Sequence, residues 1–151
     1  MTPVRTPRID SKYTCFDVEI RRSRIHRYGV YANERIPAHR KVIEYTGERL
    51  NRSQAAAVAG GEYTYLFAVD SYWTLDGARG GSGAEIINHS CQPNLISRVV
   101  KGHVLYVSVR EIERGEELTV DYNFADFKDA TPCTCGAAEC RGTIERRRKK
   151  K

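Results

Sequence analysis

The sequence contains no long apolar segment. The longest run without a charged or strongly polar side chain is residues 55–61, whereas a helix that crosses a bilayer needs about 20 apolar residues. A membrane-spanning segment is therefore excluded. The N-terminal stretch carries Arg5, Arg8 and Lys12 with no apolar run behind them, so we expect no secretory signal. No internal repeat is visible.

Charge of one sign is not in excess over the body of the chain. The formal net charge of +6 by itself indicates nucleic-acid binding. However, residues 146–151 are six consecutive basic residues, and residues 1–145 contain 19 basic and 19 acidic side chains. Residues 42–145 alone contain nine basic and fifteen acidic ones. An acidic body favours a cationic partner, and we expect direct nucleic-acid binding only through the basic tail.

The chain has 151 residues, of which 40% are hydrophobic and 29% charged, enough for one compact domain with a core. Residues 1–13 have little apolar pattern and predict an extended arm. Beyond them, short runs rich in Val, Ile, Tyr and Phe alternate with turn signals and predict a mostly β fold with few short helices. These runs are residues 16–20, 29–32, 41–45, 63–69, 72–75, 95–100, 103–109 and 118–122.

Helix and turn signals are few. One helix is predicted over residues 52–59, where Asn51 can cap the first turn and the Gly-Gly pair 60–61 can end it. Residues 78–87 are compatible with a second short helix or with a flexible glycine-rich loop. The Lys-Gly pair 101–102 between two β runs predicts a hairpin turn.

The five cysteines are an odd set, and three of them lie within residues 133–140. This pattern favours metal binding over disulfides, because Cys133 and Cys135 are poorly placed to bridge one another. The three C-terminal thiols can wrap one tetrahedral Zn²⁺, with Cys91, Cys15 or His89 as the fourth ligand. A closed sulfur shell leaves no site for water, so this metal is expected to be structural. Three free or disulfide-bonded thiols are the alternative.

Residues 87–94, Ile-Asn-His-Ser-Cys-Gln-Pro-Asn, are dense in hydrogen-bonding side chains. Such a segment is either a tight polar loop that satisfies its own backbone or a ligand-binding loop. A thiol nucleophile with a histidine base is a third interpretation. We expect the side chains of His89 and Cys91 to face opposite sides of the extended chain, which disfavours it.

Taken in order, six blocks of the sequence resemble the SET-domain protein-lysine methyltransferases over residues 14–145. The blocks are residues 28–32, 44–48, 63–67, 87–94 and 117–122, and the Cys133-x-Cys135-x4-Cys140 segment. Each block alone is a weak match, but six in this order and spacing make a chance resemblance improbable. The resemblance implies small β-sheets with a pseudoknot beside loop 87–94 and a C-terminal zinc-binding post-SET segment.

The resemblance also implies a cofactor, S-adenosylmethionine, and the residues that bind it. Arg27, Tyr28 and Gly29 would lie against this cofactor, and Asn88 and His89 would contact it from the pseudoknot. A glycine allows close backbone approach, and an Asn-His pair offers directional hydrogen bonds. Arg27 stands where the family motif usually begins with glycine.

The same resemblance assigns catalysis and the substrate channel. Tyr122 matches the active-site tyrosine, near the methyl group and sulfonium of the cofactor, and Tyr65 would line the lysine channel and bond the amine. Val120 and Ser97 occupy the positions that limit how many methyl groups fit, and both are small, which predicts more than one methyl transfer. Cys91 would complete the zinc shell of Cys133, Cys135 and Cys140, leaving Cys15 as an ordinary buried residue.

The implied function is transfer of a methyl group from S-adenosylmethionine to a lysine amine of a basic protein, with histone or histone-like tails as candidate substrates. The alternative is a catalytically silent SET fold that acts as an interaction module on chromatin. That alternative rests on Arg27 and on Glu85, which stands where the family usually has arginine.

We expect a nuclear location in a eukaryote, and otherwise a cytoplasmic protein or one delivered into a host. The predicted organisation is an arm (1–13), a SET domain (14–125), a post-SET zinc segment (126–145) and a basic tail (146–151).

Overall fold

The computed structural model describes residues 7–59, 65–122 and 132–144. Within these ranges the chain forms ten short β-strands, one α-helix and two 3-10 turns, so the predicted mostly β fold is confirmed. The described residues include no helix long and apolar enough to cross a membrane. The elements are a 3-10 turn Ser11–Tyr13, β1 Val18–Arg22, β2 Tyr28–Ala32, β3 Lys41–Tyr45, β4 Glu48–Leu50, α1 Arg52–Val58, β5 Leu66–Ala68, β6 Thr74–Asp76, a 3-10 turn Ala84–Ile86, β7 Asn88–His89, β8 Leu95–Val100, β9 His103–Ser108 and β10 Thr119–Val120.

The strands form three small sheets. β1 and β2 make an antiparallel hairpin, β4, β6 and β5 make a three-stranded sheet in that order, and a five-stranded sheet has the order β3-β9-β8-β10-β7. Alternate residues of β9 are buried, which is the pattern of a strand with one face on the core. One cluster of buried apolar side chains connects all three sheets, with Val30, Ile43, Leu75, Val104 and Leu118 among its members.

A pseudoknot lies at one edge of the five-stranded sheet. β10 runs between β7 and β8 and is parallel to both, although β7 and β8 are separated by only five residues of chain. The side chain of Asn94 fastens this insertion, because its Nδ2 donates to Glu117 O at 2.8 Å and its Oδ1 accepts from Thr119 N at 2.8 Å. Asn94 is 2% exposed. The predicted pseudoknot is therefore confirmed, and a buried amide side chain holds it closed.

Local signals for the helix and the hairpin are confirmed. Asn51 Oδ1 accepts from Gln54 N at 2.9 Å and Gln54 Oε1 accepts from Asn51 N at 2.9 Å, a reciprocal cap at the start of α1. The Gly-Gly pair predicted to end the helix lies outside the described residues. Lys101 and Gly102 have φ values of 51° and 79°, the double left-handed turn that suits a two-residue hairpin between β8 and β9.

Two features differ from the predictions. The short strands β4 and β7 lie outside the predicted β runs. The arm is not extended throughout, because residues 11–13 form a 3-10 turn and Asp10 N donates to Ser82 O at 2.8 Å. Ile9 also packs against the core cluster. The start of the predicted 63–69 strand, the SET and post-SET boundary near residue 125, and the basic tail lie outside the described residues.

Candidate functional site

The sulfur atoms of Cys91, Cys133, Cys135 and Cys140 all lie within 4.8 Å of one another. Cys91 Sγ is 3.8 Å from Cys133 Sγ and 3.9 Å from Cys140 Sγ. Tetrahedral zinc with sulfur ligands at about 2.3 Å separates neighbouring sulfurs by about 3.8 Å, so these thiols could hold Zn²⁺ in a closed shell. Cys15 lies outside the cluster. The prediction that it is buried is wrong, because it sits in an exposed bend before β1.

Backbone amides point at the sulfur atoms of this cluster. Arg141 N donates to Cys91 Sγ at 3.4 Å, and Gly142 N donates to Cys140 Sγ at 3.4 Å. Desolvation opposes ionisation of the Cys135 thiol, but two backbone amides and the neighbouring thiols outweigh it and lower the pKa of Cys135. Burial raises the pKa of Cys91 and Cys133, so Cys135 is the thiol of this cluster whose thiolate form the protein favours before a metal binds.

Polar contacts attach the C-terminal cysteine segment to the body, among them those of Arg141 and Thr134. Arg141 Nη1 lies 2.8 Å from Asp121 Oδ2 and Nη2 lies 3.1 Å from Oδ1, while Nε donates to Thr143 O at 2.9 Å. On the other side, Thr134 Oγ1 donates to Ile25 O at 2.8 Å, in the loop between β1 and β2. The segment therefore touches both the end of the pseudoknot and the first hairpin.

Asn88 joins the hairpin loop to the pseudoknot. Its Nδ2 lies 3.2 Å from His26 O, 2.9 Å from Tyr28 O and 2.9 Å from Glu117 Oε1. Asn88 is 5% exposed. The structure thus brings the candidate cofactor residues 27–29 next to Asn88, although about 60 residues of sequence separate them.

The absence of a side chain at position 29 is explained by a contact with Glu117 that the sequence did not reveal. The Glu117 carboxylate accepts from Ser23 Oγ at 2.7 Å and from Tyr31 OH at 3.3 Å, in addition to Asn88. A Cβ built on Gly29 would lie 2.1 Å from Glu117 Oε1. A larger residue at position 29 would force this carboxylate to move from its present hydrogen bonds, so glycine at this position suits the observed placement of Glu117. No pattern in the sequence pairs residues 29 and 117.

Arg27 has a backbone conformation that glycine adopts more easily. Its φ is 41°, in the left-handed region, and its carbonyl accepts from Ser23 N at 2.9 Å to close the β1–β2 loop. The resemblance predicts glycine at this position, and the conformation explains why glycine would suit it. Arg27 therefore holds a backbone conformation that is strained for a residue with a side chain.

His89 and Tyr122 contact each other directly. Tyr122 N donates to His89 Nδ1 at 3.0 Å, the two ring centroids are 5.3 Å apart, and Tyr122 OH donates to Ile87 O at 2.7 Å. His89 Nε2 is 3.6 Å from Cys91 Sγ. The expectation that His89 and Cys91 face opposite sides is wrong, because residues two apart in an extended chain face the same side.

The Tyr122 hydroxyl lies in a desolvated environment. Burial raises its pKa, and the nearby Tyr65 and Glu117 raise it further. This contribution of Tyr65 indicates that both candidate catalytic tyrosines lie in the same region. Tyr65 is also held through its carbonyl, which accepts from Gly77 N at 2.9 Å and from the Tyr45 hydroxyl.

An aromatic cluster of Tyr45, Phe67 and Tyr106 was not among the predicted site residues. The Tyr45 ring lies 5.3 Å from Phe67 and 6.0 Å from Tyr106, and the pKa of both tyrosines is raised, chiefly by burial. Tyr122 is among the neighbours that raise each pKa, so the cluster lies near the candidate catalytic tyrosine. The alternation of apolar residues in β9 was the signal that could have placed Tyr106 on the inner face.

The SET domain family matches residues 27–123, more than half of the chain. This protein belongs to the SET domain family.

Curated relatives of this SET protein are much longer, and the chain spans only 11–14% of the length of three of them. One is the H3 lysine-4 specific histone-lysine N-methyltransferase of Schizosaccharomyces pombe, 41% identical over 132 residues and covering 81% of this chain and 14% of the relative. The protein of the same description from Aspergillus oryzae is 39% identical over 141 residues, covering 84% of this chain and 11% of the relative. Histone-lysine N-methyltransferase TRX1 of Oryza sativa is 39% identical over 136 residues, covering 82% of this chain and 13% of the relative.

Solved structures of SET proteins have the same fold. Arabidopsis thaliana SUVH6 in complex with SAM superposes with a TM-score of 0.77 at 28% identity, covering 89% of this chain and 34% of that one. KRYPTONITE in complex with mCHG DNA and SAH has a TM-score of 0.75 at 30% identity, covering 87% of this chain and 29% of that one. The implied SET-type β fold is therefore confirmed.

In this SET domain, the two candidate gate residues, Val120 and Ser97, lie on strands of the five-stranded sheet. Val120 is 3% exposed, and its pairing partners in β7 and β8 are His89 and Leu95. Ser97 is half-buried and pairs with Tyr106 across β8 and β9, so their side chains share one face. The structure thus places Ser97 beside the aromatic cluster and Val120 between two strands of the pseudoknot.

Glu85, the other departure from the family pattern, lies at the base of this region. Its Oε2 accepts from Gly83 N at 2.9 Å in the 3-10 turn before β7. The carboxylate also contributes to the raised pKa of Tyr45 and Tyr106, after burial and a neighbouring tyrosine in each case. Glu85 therefore supports the local backbone and faces the aromatic cluster.

Proposed function

We propose that this protein is an S-adenosylmethionine-dependent protein-lysine N-methyltransferase that acts on a basic protein. The observation that carries this proposal is the position of Tyr122. Its backbone is held by His89, its hydroxyl is held at the pseudoknot, and the hairpin residues 27–29 reach the same pseudoknot through Asn88. Membership of the SET family and the histone-lysine methyltransferase relatives favour this interpretation over a catalytically silent module.

The residues present fit S-adenosylmethionine. No donor in the described part of the chain contacts Asn88 Oδ1, whereas its Nδ2 is fully used by protein acceptors, so this oxygen is available to an amino group of the ligand. The Arg27 guanidinium suits the carboxylate of this ligand, and the exposed Tyr28 ring offers an apolar face to its adenine base. We propose Arg27, Tyr28, Gly29, Asn88, His89 and Tyr122 as the binding set. When bound, S-adenosylmethionine supplies an electrophilic methyl group on a sulfonium.

The structure limits how His89 can take part. Its ring nitrogens already contact Tyr122 N and Cys91 Sγ, at 3.0 and 3.6 Å. We propose that a ligand contact by His89 would use its backbone rather than its imidazole.

The protein must make the substrate lysine nucleophilic. An ordinary lysine has a pKa of about 10.4, so only about one amine in 10³ to 10⁴ is neutral at pH 7. A desolvated channel lowers an amine pKa, and the burial that raises the pKa of Tyr122 indicates such an environment. The neutral tyrosine hydroxyls of Tyr122 and Tyr65 would orient the amine. Alignment of the reactants can contribute about 7–11 kcal/mol in favourable cases, so no strong base is required.

The proposed substrate is a lysine-rich segment such as a histone tail. Residues 42–145 carry nine basic and fifteen acidic side chains, a balance that attracts cationic peptides. Relatives from three organisms are named for histone-lysine methylation, two of them for H3 lysine 4. We propose chromatin as the site of action in a eukaryotic cell.

We propose a structural role for zinc and transfer of more than one methyl group. Four sulfur ligands leave no coordination position for water, so the metal would hold residues 132–144 against the pseudoknot. Val120 and Ser97 have small side chains where larger residues would narrow the channel. Mass spectrometry of a methylated substrate peptide should find di- or trimethyl-lysine, and arrest at monomethyl-lysine would contradict this part of the proposal.

The decisive experiment is a methyl-transfer assay on separate core histones and other basic proteins, run with a Tyr122→Phe variant. The variant should keep the fold, because it lacks only one hydroxyl. It should lose most of the methyl transfer, because that hydroxyl is the one proposed to orient the amine. Tyr72→Phe is the matched control, since Tyr72 is 52% exposed. Calorimetric titration with S-adenosylmethionine completes the test. Absence of micromolar binding would favour the silent interaction module, and equal turnover by both variants would overturn the role of Tyr122.

A further inference from the structure

His89 lies between the cysteine cluster and the candidate catalytic tyrosine. The side chain is 3% exposed. On one edge of the ring, Nδ1 lies 3.0 Å from Tyr122 N, and on the other edge, Nε2 lies 3.6 Å from Cys91 Sγ. A single buried imidazole therefore contacts both a zinc-ligand sulfur and the backbone of Tyr122.

The contact with Tyr122 fixes which nitrogen of the neutral ring carries the proton. A backbone N–H can only donate, so Nδ1 must offer its lone pair to Tyr122 N. The proton of the neutral imidazole is then on Nε2, which faces Cys91 Sγ. Asp121 Oδ1 lies 3.5 Å from Nδ1, but its carboxylate is paired with the Arg141 guanidinium. The 3.0 Å contact from the amide leaves no proton on Nδ1 for Asp121.

We propose that His89 is a positioning residue that couples zinc binding to the placement of Tyr122. Nε2–H donates to the Cys91 sulfur, and Nδ1 receives the Tyr122 amide. The relevance to catalysis rests on the proposed function. The coupling itself is a property of the folded protein and can be measured without methyl transfer.

Zinc bound by these cysteines would strengthen this link for a chemical reason. Bound metal keeps a coordinating thiol deprotonated, and a thiolate is a better hydrogen-bond acceptor than a thiol. The zinc-bound sulfur of Cys91 would therefore hold the imidazole in one orientation and one tautomer. The oriented ring then holds Tyr122 N, and the Tyr122 hydroxyl remains on Ile87 O at 2.7 Å. Loss of zinc should loosen this chain of contacts from the sulfur end.

Two substitutions separate the two edges of the ring. In His89→Asn the side-chain oxygen can reach the place of Nδ1 and accept from Tyr122 N, but no donor reaches Cys91. In His89→Gln the longer amide can place a donor near Cys91 but offers no acceptor to Tyr122. If the ring only filled space, both variants would change zinc binding and the Tyr122 amide to the same extent. His39→Asn is the control, because His39 is exposed and has a φ of 60°, which asparagine tolerates.

The first measurement is the tautomer of His89 in the full chain. Long-range proton–nitrogen NMR on histidine-labelled, zinc-loaded protein should show a protonated Nε2 and a pyridine-like Nδ1. Removal of zinc with a chelator should shift the Nε2 signal and broaden the Tyr122 amide. A protonated Nδ1, or a His89 spectrum and Tyr122 amide unchanged by zinc removal, would overturn the proposal.

The second measurement is zinc release to a chromogenic chelator, paired with hydrogen exchange at the Tyr122 amide. Changes to residues that orient metal ligands typically cost about 10–100-fold in affinity, and we expect a loss of this size for His89→Asn but not for His89→Gln or His39→Asn. Faster exchange at Tyr122 is expected for His89→Gln under zinc saturation, while His89→Asn under the same conditions retains protection. Equal effects of both His89 variants on both readouts would refute the coupling. A zinc-linked tautomer in a protein that transfers no methyl group would refute only the proposed function.

Discussion

The guanidinium of Arg141 forms a two-point ion pair with the carboxylate of Asp121, at 2.8 and 3.1 Å. Asp121 precedes Tyr122 directly, and Arg141 follows the candidate zinc ligand Cys140. The pair therefore joins the cysteine segment to the residue beside the candidate catalytic tyrosine, independently of the metal. Both side chains are less than one-third exposed, which makes the pair stronger than an ordinary surface ion pair.

We predict that Arg141→Ala lowers the free energy of unfolding by about 1.5–3 kcal/mol, since hydrogen bonds to charged groups contribute about that much. Arg141→Lys should recover only part of the loss, because lysine cannot bond both carboxylate oxygens in the planar fork. Chemical denaturation of zinc-loaded protein measures both. Arg110→Ala is the control, because Arg110 makes a similar fork with Glu116 on an exposed surface. Equal losses at positions 110 and 141 would contradict the prediction.

The metal should be necessary for the structure of residues 132–144. We predict that Cys140→Ser weakens zinc binding by more than the roughly 10–100-fold typical of outer-shell changes, because it removes a direct ligand. Cys15→Ser should bind zinc like the unmodified protein, since Cys15 lies outside the cluster. Competition with a metal indicator measures the affinity, and hydrogen exchange of residues 132–144 reports the structure. Zinc loss by Cys15→Ser would contradict the assigned ligand set.

A third prediction concerns the contact between Gly29 and Glu117. Gly29→Ala places a Cβ where the Glu117 carboxylate lies, at 2.1 Å, and should cost about 1–3 kcal/mol of stability. Glu117→Ala should also destabilise the protein, because Ser23 and Asn88 lose an acceptor. The double variant should be more stable than the sum of the two losses predicts, by about 1 kcal/mol or more. Denaturant titration of the four proteins tests this, and strict additivity would disprove the contact.

The backbone of Arg27 provides a fourth prediction. A left-handed conformation costs a non-glycine residue about 1–2 kcal/mol, so Arg27→Gly should be more stable than Arg27→Ala by about 1 kcal/mol. The comparison uses two variants that both lack the guanidinium, which isolates the backbone effect. At Arg24, in the same loop but without a positive φ, alanine should be the more stable choice. Thermal unfolding distinguishes these outcomes, and the same order at both positions would show that φ is not the cause.

Much of the fold was predictable because its signals are local. Asn51 caps α1 by contacts with a residue three positions away, and the 101–102 turn is set by the conformations of two adjacent residues. The strands β3, β8 and β9 have apolar runs that a sequence displays directly. The apolar run 118–122 also predicted a strand, but the parallel pairing of β10 with both β7 and β8 exists only in the pseudoknot.

By itself, the amino-acid sequence determined the residue types of the site and their order: three cysteines within a few positions, the Asn-His-Ser-Cys loop and the Asp-Tyr pair that ends the candidate catalytic block. These depend on chemistry and spacing, and the sequence contains both. Only the tertiary structure decided that His89 turns its ring toward Cys91 and Tyr122, that Gly29 makes room for Glu117, and that Cys15 is exposed. The reason is physical. The contacts of His89 with Tyr122 and of Gly29 with Glu117 join residues distant in sequence. The direction of a side chain, including that of His89 toward Cys91, follows from the packing of strands, which no local pattern specifies.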